Sequence, residues 1–307
     1  MSAIIVITGA SRGIGRACAV AFAKHLSIPT LRLCLLARCK DGLRETSELA
    51  SAAAASVSTM KKDVQIKTHV IDLCDLDNLE ESIQKIFLSF DTDNDWRSDD
   101  FIKISKKDND NELTFDKAIL VNNAGSLEPL GLSAKIACNV NSLSELRKSV
   151  DFNITSSMWI SSFFLNYFKT RKLGLVKNCT IVNMSSLCAI EPFKTMGVYC
   201  ATKASRDMFH SVMGKEEDPV ADGNKIGVKI LNYAPGPIDT QMVNDLIESD
   251  TLDSEVSSFF KTSRKEETLI QPSATAQRLV DLVWSDEYES GKHIDYYSLD
   301  PTNKENI

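Results

Sequence analysis

The chain has 307 residues, 43% hydrophobic and 25% charged, with a formal net charge of −7. That balance suits a soluble globular protein and weighs against nucleic acid as the main partner, which favours a basic face. No apolar run approaches the ~20 residues of a membrane helix, and the start, MSAIIVITGA, lacks the basic region and apolar length of a secretory signal. Eight cysteines are scattered without a CxxC pair, so they read as reduced thiols, mostly core fillers. The four histidines lie far apart without metal-ligand spacing, so no metal is expected. A cytoplasmic location is the default expectation.

AIIVIT (3–8) is rich in β-branched residues and ends at a glycine, which reads as a buried strand; a helix follows from about Gly13 to Leu26. LRLCLLA (31–37) is a second strand and 42–58 an alanine-rich helix. VQIKTHVID (64–72) alternates like a strand, and 75–90 has helical spacing. KAILV (117–121) is a strand, followed by a long loop and a helix over roughly 145–170. CTIVNM (179–184) is a strand, 199–213 a helix, IGVKILNYA (226–234) a strand and 274–284 a helix; KHIDYY (292–297) closes the series as a strand. Strands alternating with helices imply right-handed crossovers and a parallel sheet covered on both faces. The expected fold class is α/β, doubly wound and Rossmann-type: a single domain over 1–300 with a seven-stranded parallel sheet.

Residues 91–112 break the rhythm with eight acids and four bases, and read as a solvated surface insertion. The stretch begins like a calcium loop, but Trp96 stands where the turn needs glycine and Ile102 where a bidentate Glu belongs. Residues 301–307 read as a flexible tail.

TGASRGIG (8–15) joins the first strand to the first helix. Gly9, Gly13 and Gly15 permit a tight turn and let a pyrophosphate approach the helix N-terminus, with Ser11, Arg12 and Ile14 as further contacts. At the end of the second strand, where an NAD site carries an acid for the ribose 2′-hydroxyl, LLARCK offers Arg38, followed by Cys39 and Lys40. Guanidinium groups grip a 2′-phosphate, so NADP(H) is the expected cofactor. Asp72 and Leu73 end the third strand, and Asn123, Ala124 and Gly125 end the fourth; both sets suit the adenosine half.

SSLCAIEPFKTMGVYCATK (185–203) carries the chemistry. Tyr199 and Lys203 are one turn apart on one helix face. A nearby ammonium favours the phenolate, so Lys203 is expected to lower the pKa of Tyr199 and ready it for proton transfer. Ser186, at the end of the fifth strand, can hydrogen-bond a substrate carbonyl at the same edge.

These stretches, with NNAGSLEPLG, LNYAPGPIDTQM and SGKHIDYY, resemble the short-chain dehydrogenase/reductase family over nearly the whole chain. Within it, the resemblance is to members that reduce 6-acyl pterins in tetrahydrobiopterin synthesis. It implies that Tyr199 is the general acid, that Lys203 tunes it and holds the nicotinamide ribose, and that Ser186 binds the carbonyl oxygen. Asn153 would support a relay water. Pro235, Gly236, Ile238, Thr240 and Met242 would line the nicotinamide side, with Gly236 also at the substrate. Cys39 departs from the smaller polar residue the family places beside the 2′-phosphate. Asp295 would anchor the pterin through its 2-amino group and ring N–H; a strand-end Asp capping a loop is the other reading.

The resemblance also implies a homodimer, paired through the helix ending in Phe163, Phe164, Tyr167 and Phe168 and the Tyr199 helix, on which Met208, Phe209 and Met213 read as core or subunit packing. His293 reads as a strand residue and not a ligand, and Cys200 as a small buried hydrophobe. Two other functions fit the same residues: a broad diketone or aldehyde reductase, and a non-catalytic NADP(H)-binding regulator.

Overall fold

The apolar run behind the first methionine forms β1 (Ser2–Thr8), buried on both faces. In the computed structural model, which describes residues 2–57, 62–92, 115–138, 141–171, 176–217 and 226–299, β1 is at the centre of a sheet. Its partners are β2 (Thr30–Ala37), β3 (Asp63–Val70), β4 (Phe115–Asn122), β5 (Val176–Met184), β6 (Gly227–Ala234) and β7 (His293–Asp295). Among the described residues these seven strands run parallel in the order β3-β2-β1-β4-β5-β6-β7. The order reverses between β1 and β4, where a crevice opens at the strands' carboxyl ends.

Alternation along β1 divides the core. Ile5 and Ile7 pack under α1 (Gly13–Lys24), α2 (Lys40–Ser56) and α9 (Pro272–Ser285). Ile4 and Val6 face the opposite layer of α3 (Leu76–Thr92), α5 (Ser156–Asn166) and α6 (Gly197–Glu216). A smaller apolar cluster lies over the carboxyl ends of the strands, under α7 (Gln241–Glu248) and α8 (Ser254–Lys265). The expected single doubly wound domain is what forms, and no described helix is long and apolar enough to cross a membrane.

Several boundaries differ from expectation. The helix expected over 145–170 starts earlier, as α4 (Ser142–Val150), and continues through a π turn at Asp151–Thr155, α5, and a second π turn at Tyr167–Arg171. The closing strand stops at Asp295. Its carboxylate accepts from the Tyr297 N–H at 2.8 Å, and Tyr296–Leu299 turns into a 3-10 helix. The aromatic stripe expected to serve subunit pairing is mostly internal. Phe164, Tyr167 and Phe168 are buried, with rings edge-on around Phe87; Phe163 is half-buried and stacks on Trp159. On α6, Met213 is buried, Phe209 half-buried and Met208 exposed. Four cysteines, Cys18, Cys34, Cys179 and Cys188, are buried, and Cys200 is half-buried; none is in a disulfide. Past Thr92 the acidic insertion lies outside the described residues, as do 218–225 and the tail.

The C-terminal part of α6 lies against the turn before β7. A Cβ on Gly214 would sit 2.6 Å from the Gly291 nitrogen, a backbone atom that cannot swing aside. Gly214→Ala should therefore destabilise the fold by ~1–3 kcal/mol through overpacking, measured as a lower urea midpoint.

Candidate active site

At the β1–β4 reversal a cleft of about 1510 Å³ brings together Gly9, Ser11, Arg12, Gly13, Ile14, Arg38, Cys39, Leu73, Asn123, Ala124, Gly125, Thr240 and Met242. Gly9 has φ +66°, and a Cβ there would meet Asn123 Nδ2 at 2.9 Å, so glycine is needed both for conformation and for space. Gly15 stands behind the wall: its Cβ would lie 2.4 Å from the Gly9 carbonyl oxygen, so its bareness seats α1 against the turn. Thr8 Oγ1 accepts from the backbone N–H of Asn123 and of Ala124, each at 3.0 Å, tying the ends of β1 and β4 together.

Near the end of β2 the cleft is lined by charges of both signs, arginines together with Asp41, Glu45 and Glu48. Arg38 is 69% exposed and 3.8 Å from the Asp72 carboxylate, which also accepts from Cys74 N–H at 3.0 Å. Arg12 is exposed and lines the same cleft. Cys39 begins α2 as its N-cap, with Sγ accepting from Gly42 N–H at 3.4 Å. Arg44, which sequence reasoning passed over, lines the same cleft.

The expected catalytic residues lie beyond that cleft wall, at the ends of β5 and β6. Ser186 caps a short turn, its Oγ accepting from Cys188 N–H at 3.2 Å, which leaves the hydroxyl proton to be donated. It lies near enough to the Tyr199 phenol to favour its ionised form. Lys203 Nζ stands 5.6 Å from the Tyr199 ring centroid and donates to the Met184 carbonyl at 2.7 Å. Asn153 sits at the π turn between α4 and α5. It is tied to Ser126, accepting from its N–H at 2.8 Å and donating to its carbonyl at 3.1 Å. Gly125 lies close to Asn153, Lys203 and Arg206, so the cleft and the group around Tyr199 meet there.

Arg206 was not anticipated. It is fully buried one turn after Lys203, donating to Asn183 Oδ1 (2.7 Å), the Ala124 carbonyl (2.8 Å) and the Asn122 carbonyl (2.5 Å). Only its place on the helix face of Tyr199 and Lys203 hinted at a role.

The electrostatics correct one expectation. Burial pushes the Tyr199 phenol above the ordinary tyrosine value, and Cys188 adds to the rise; Ser186 and the Arg206 charge oppose it without prevailing. The phenol is a held proton, not an incipient phenolate. Burial, aided by Arg206, pushes Lys203 down to about 7, against the pull of Asp207.

The loop after β6 places Thr240 and Met242 in the cleft, with Gly13 facing Thr240 Cγ2 across it. Pro235, Gly236 and Ile238 stand behind, Ile238 bridging to Ile270. Asp295 pairs with Ala234 at the next strand end, on the same sheet edge as the end of β5 that carries Ser186. It realises the loop-capping alternative through Tyr297, but each carboxylate oxygen accepts twice, so capacity for a ligand's donors remains. His293 is on β7 as expected and bonds Asp207.

A family model described as short chain dehydrogenase matches residues 75–251. The chain belongs to this family and is an oxidoreductase. Among its relatives, it is similar to sepiapterin reductase of Rattus norvegicus, at 33% identity over 297 residues covering 97% of each chain. It is also 24% identical to benzil reductase ((S)-benzoin forming) of Bacillus subtilis, over 91% of this chain and 93% of that one. A short chain dehydrogenase/reductase structure from Saccharomyces cerevisiae superposes with TM-score 0.68 at 20% identity, covering 98% of each chain.

The lowered Lys203 value makes stability depend on pH. Between about 7 and its unperturbed value near 10.5 the unfolded chain holds a proton that the folded one has lost, so stability rises with pH across that window. Lys203→Met should abolish this rise, on the order of 1 kcal/mol per pH unit, read as the wild-type-minus-mutant difference in urea unfolding at pH 7 and pH 9.

Proposed function

We propose that the chain reduces the side-chain carbonyl of 6-acyl pterins such as sepiapterin and 6-pyruvoyl-tetrahydropterin with NADPH, at the end of tetrahydrobiopterin synthesis. The observation that carries this reading is the sharing of one sheet edge by the Ser186–Tyr199 pair and the Asp295 carboxylate. The similarity to sepiapterin reductase along the whole chain supports it.

The glycine turn and the cleft of about 1510 Å³ fit a dinucleotide, and the exposed Arg38 with Arg12 favours one bearing a 2′-phosphate. Asp72 would take the adenine amino group. When bound, that cofactor supplies the hydride. The protein's own residues do the rest. Ser186 donates to the substrate oxygen, and Tyr199 gives its proton to that oxygen as charge develops there. A phenol raised by burial is fully protonated at neutral pH, which suits a donor in the direction of reduction. Lys203, which donates to the Met184 carbonyl, would hold the nicotinamide ribose, and Asn153 would support a relay water. Asp295 takes the pterin's 2-amino and ring N–H as a pair of charge-assisted bonds, each worth ~1.5–3 kcal/mol, fixing which carbonyl faces the hydride.

We place residues 1–300 in one nucleotide-binding domain, cytoplasmic and homodimeric. The exposed Met208 and Val212 on α6 favour pairing through that helix. A second reading, a diketone reductase, draws on the similarity to benzil reductase and on the apolar cluster of Leu127, Met196, Leu246 and Leu252 packed with Tyr199.

Tyr199→Phe should lower kcat with sepiapterin by about 10²–10⁴-fold while calorimetric NADPH affinity stays near wild type; full activity would refute the proton-donor role. Asp295→Asn should raise KM for sepiapterin at least about tenfold, as loss of a charge-assisted bond implies, and leave benzil far less affected. Equal changes on the two substrates would favour the diketone reading. Turnover with NADH matching that with NADPH would remove the 2′-phosphate assignment.

A further inference from the structure

Strand β7 is three residues long and lies at the edge of the sheet, so backbone pairing to β6 alone gives it a weak hold. Yet its last residue, Asp295, has to stand at a fixed distance from Tyr199 if one substrate is to touch both. Besides Ser211 of α6, which donates to the Gly291 carbonyl ahead of the strand at 2.8 Å, a side-chain cross-link from α6 reaches β7 itself at His293. Its Nδ1 is 2.6 Å from Oδ2 of Asp207, on α6 one turn beyond Lys203. An ionised carboxylate offers only acceptors, so Nδ1 carries the proton and donates.

The bond is anchored at depth. Asp207 is buried, and its other oxygen accepts from Asn183 Nδ2 on β5 at 2.9 Å. Asn183 in turn accepts from Arg206 at 2.7 Å and reaches Asn232 on β6 at 2.9 Å. His293 is thus the outermost member of a buried chain of bonds to charged groups, which are stronger and less compliant than exposed ones. Residues two apart in a strand point to the same face, so fixing the imidazole fixes the face on which Asp295 projects. On the far side Arg278 holds the following turn, its guanidinium 4.1 Å from the Tyr296 ring centroid and donating to the Tyr296 carbonyl at 2.9 Å.

We infer that the Asp207–His293 bond is a positioning device: it sets the separation between the proton-donating phenol on α6 and the substrate-gripping carboxylate on β7. This rests on the reading of Asp295 as the pterin anchor. Neither residue of the pair touches the substrate. Both act through Asp295, so their effect depends on whether the substrate reaches that far. Sepiapterin does; benzil has no donor pair for the carboxylate to hold.

The test is steady-state kinetics of the full chain with sepiapterin and with benzil, for His293→Leu, His293→Asn and Asp295→Asn, and for His293→Leu combined with Asp295→Asn. In His293→Leu, kcat/KM for sepiapterin should fall about tenfold further than kcat/KM for benzil, mostly through KM, as misplacement of a positioning contact implies. His293→Asn, whose amide nitrogen occupies the place of Nδ1, should recover most of that gap. In the Asp295→Asn background His293→Leu should add no further discrimination, because the group it positions is gone. Equal losses on both substrates, or full additivity in the double variant, would make the pair merely structural and overturn the inference. Should Asp295→Asn discriminate while His293→Leu does not, the inference alone falls; should Asp295→Asn fail to discriminate, the anchor reading falls and takes the inference with it. If His293→Leu does not fold, Asp207→Asn, which keeps the shape and weakens the acceptor, carries the same comparison.

Discussion

A single buried guanidinium holds this site together. Arg206 leaves α6 and ties the carbonyl ends of β4 to Asn183 of β5 with three short bonds. Burying such a charge costs several kcal/mol, and only bonds to well-placed acceptors offset it. The ends of the two strands, and the helix bearing Tyr199, are therefore fixed relative to one another by one group. The position of Gly125, between the cleft and the group around Tyr199, follows from that constraint.

The same charge sets the electrostatics. It favours loss of the Lys203 proton and opposes the rise of the Tyr199 phenol, while burial dominates both. The outcome is a site that keeps its proton on oxygen and holds its amine loosely. His210, held near 4 by burial and bonded to Ser161 and the Arg206 carbonyl, stays neutral and closes the polar seam behind them. The Asp207–His293 bond extends that seam to the outermost strand, so proton donor and far carboxylate belong to one framework.

Much of this was legible in the chain. The rhythm of strands and helices marked the doubly wound sheet, because a strand buried on both faces must be apolar throughout. TGASRGIG marked the turn whose glycines are needed for conformation and close approach. Ser186, Tyr199 and Lys203 could be read from helical spacing plus a strand end. What spacing could not give was tertiary. Arg206 meets Asn183 from 23 residues away and His293 meets Asp207 across 86, without local periodicity to announce either. The end of β7 was hidden because alternation runs on through Tyr296, while the side chain of Asp295 itself halts the strand by capping Tyr297. The direction of the phenol's pKa depended on burial, which outweighs the opposing charge of Arg206 two turns along the helix. The resemblance offered the aromatic stripe as part of a dimer face; apolar periodicity does not say which apolar face receives a stripe, and within the chain Phe164 and Tyr167 pack on Phe87 of α3.

The claim on which the account turns is that Tyr199 rests as a protonated donor. Titration of tyrosine labelled with carbon-13 at Cζ, with the Tyr199 signal assigned by its loss in Tyr199→Phe, measures this directly. The account predicts a phenol still neutral at pH 10, above the ordinary tyrosine midpoint. A phenolate forming near neutral pH would contradict it.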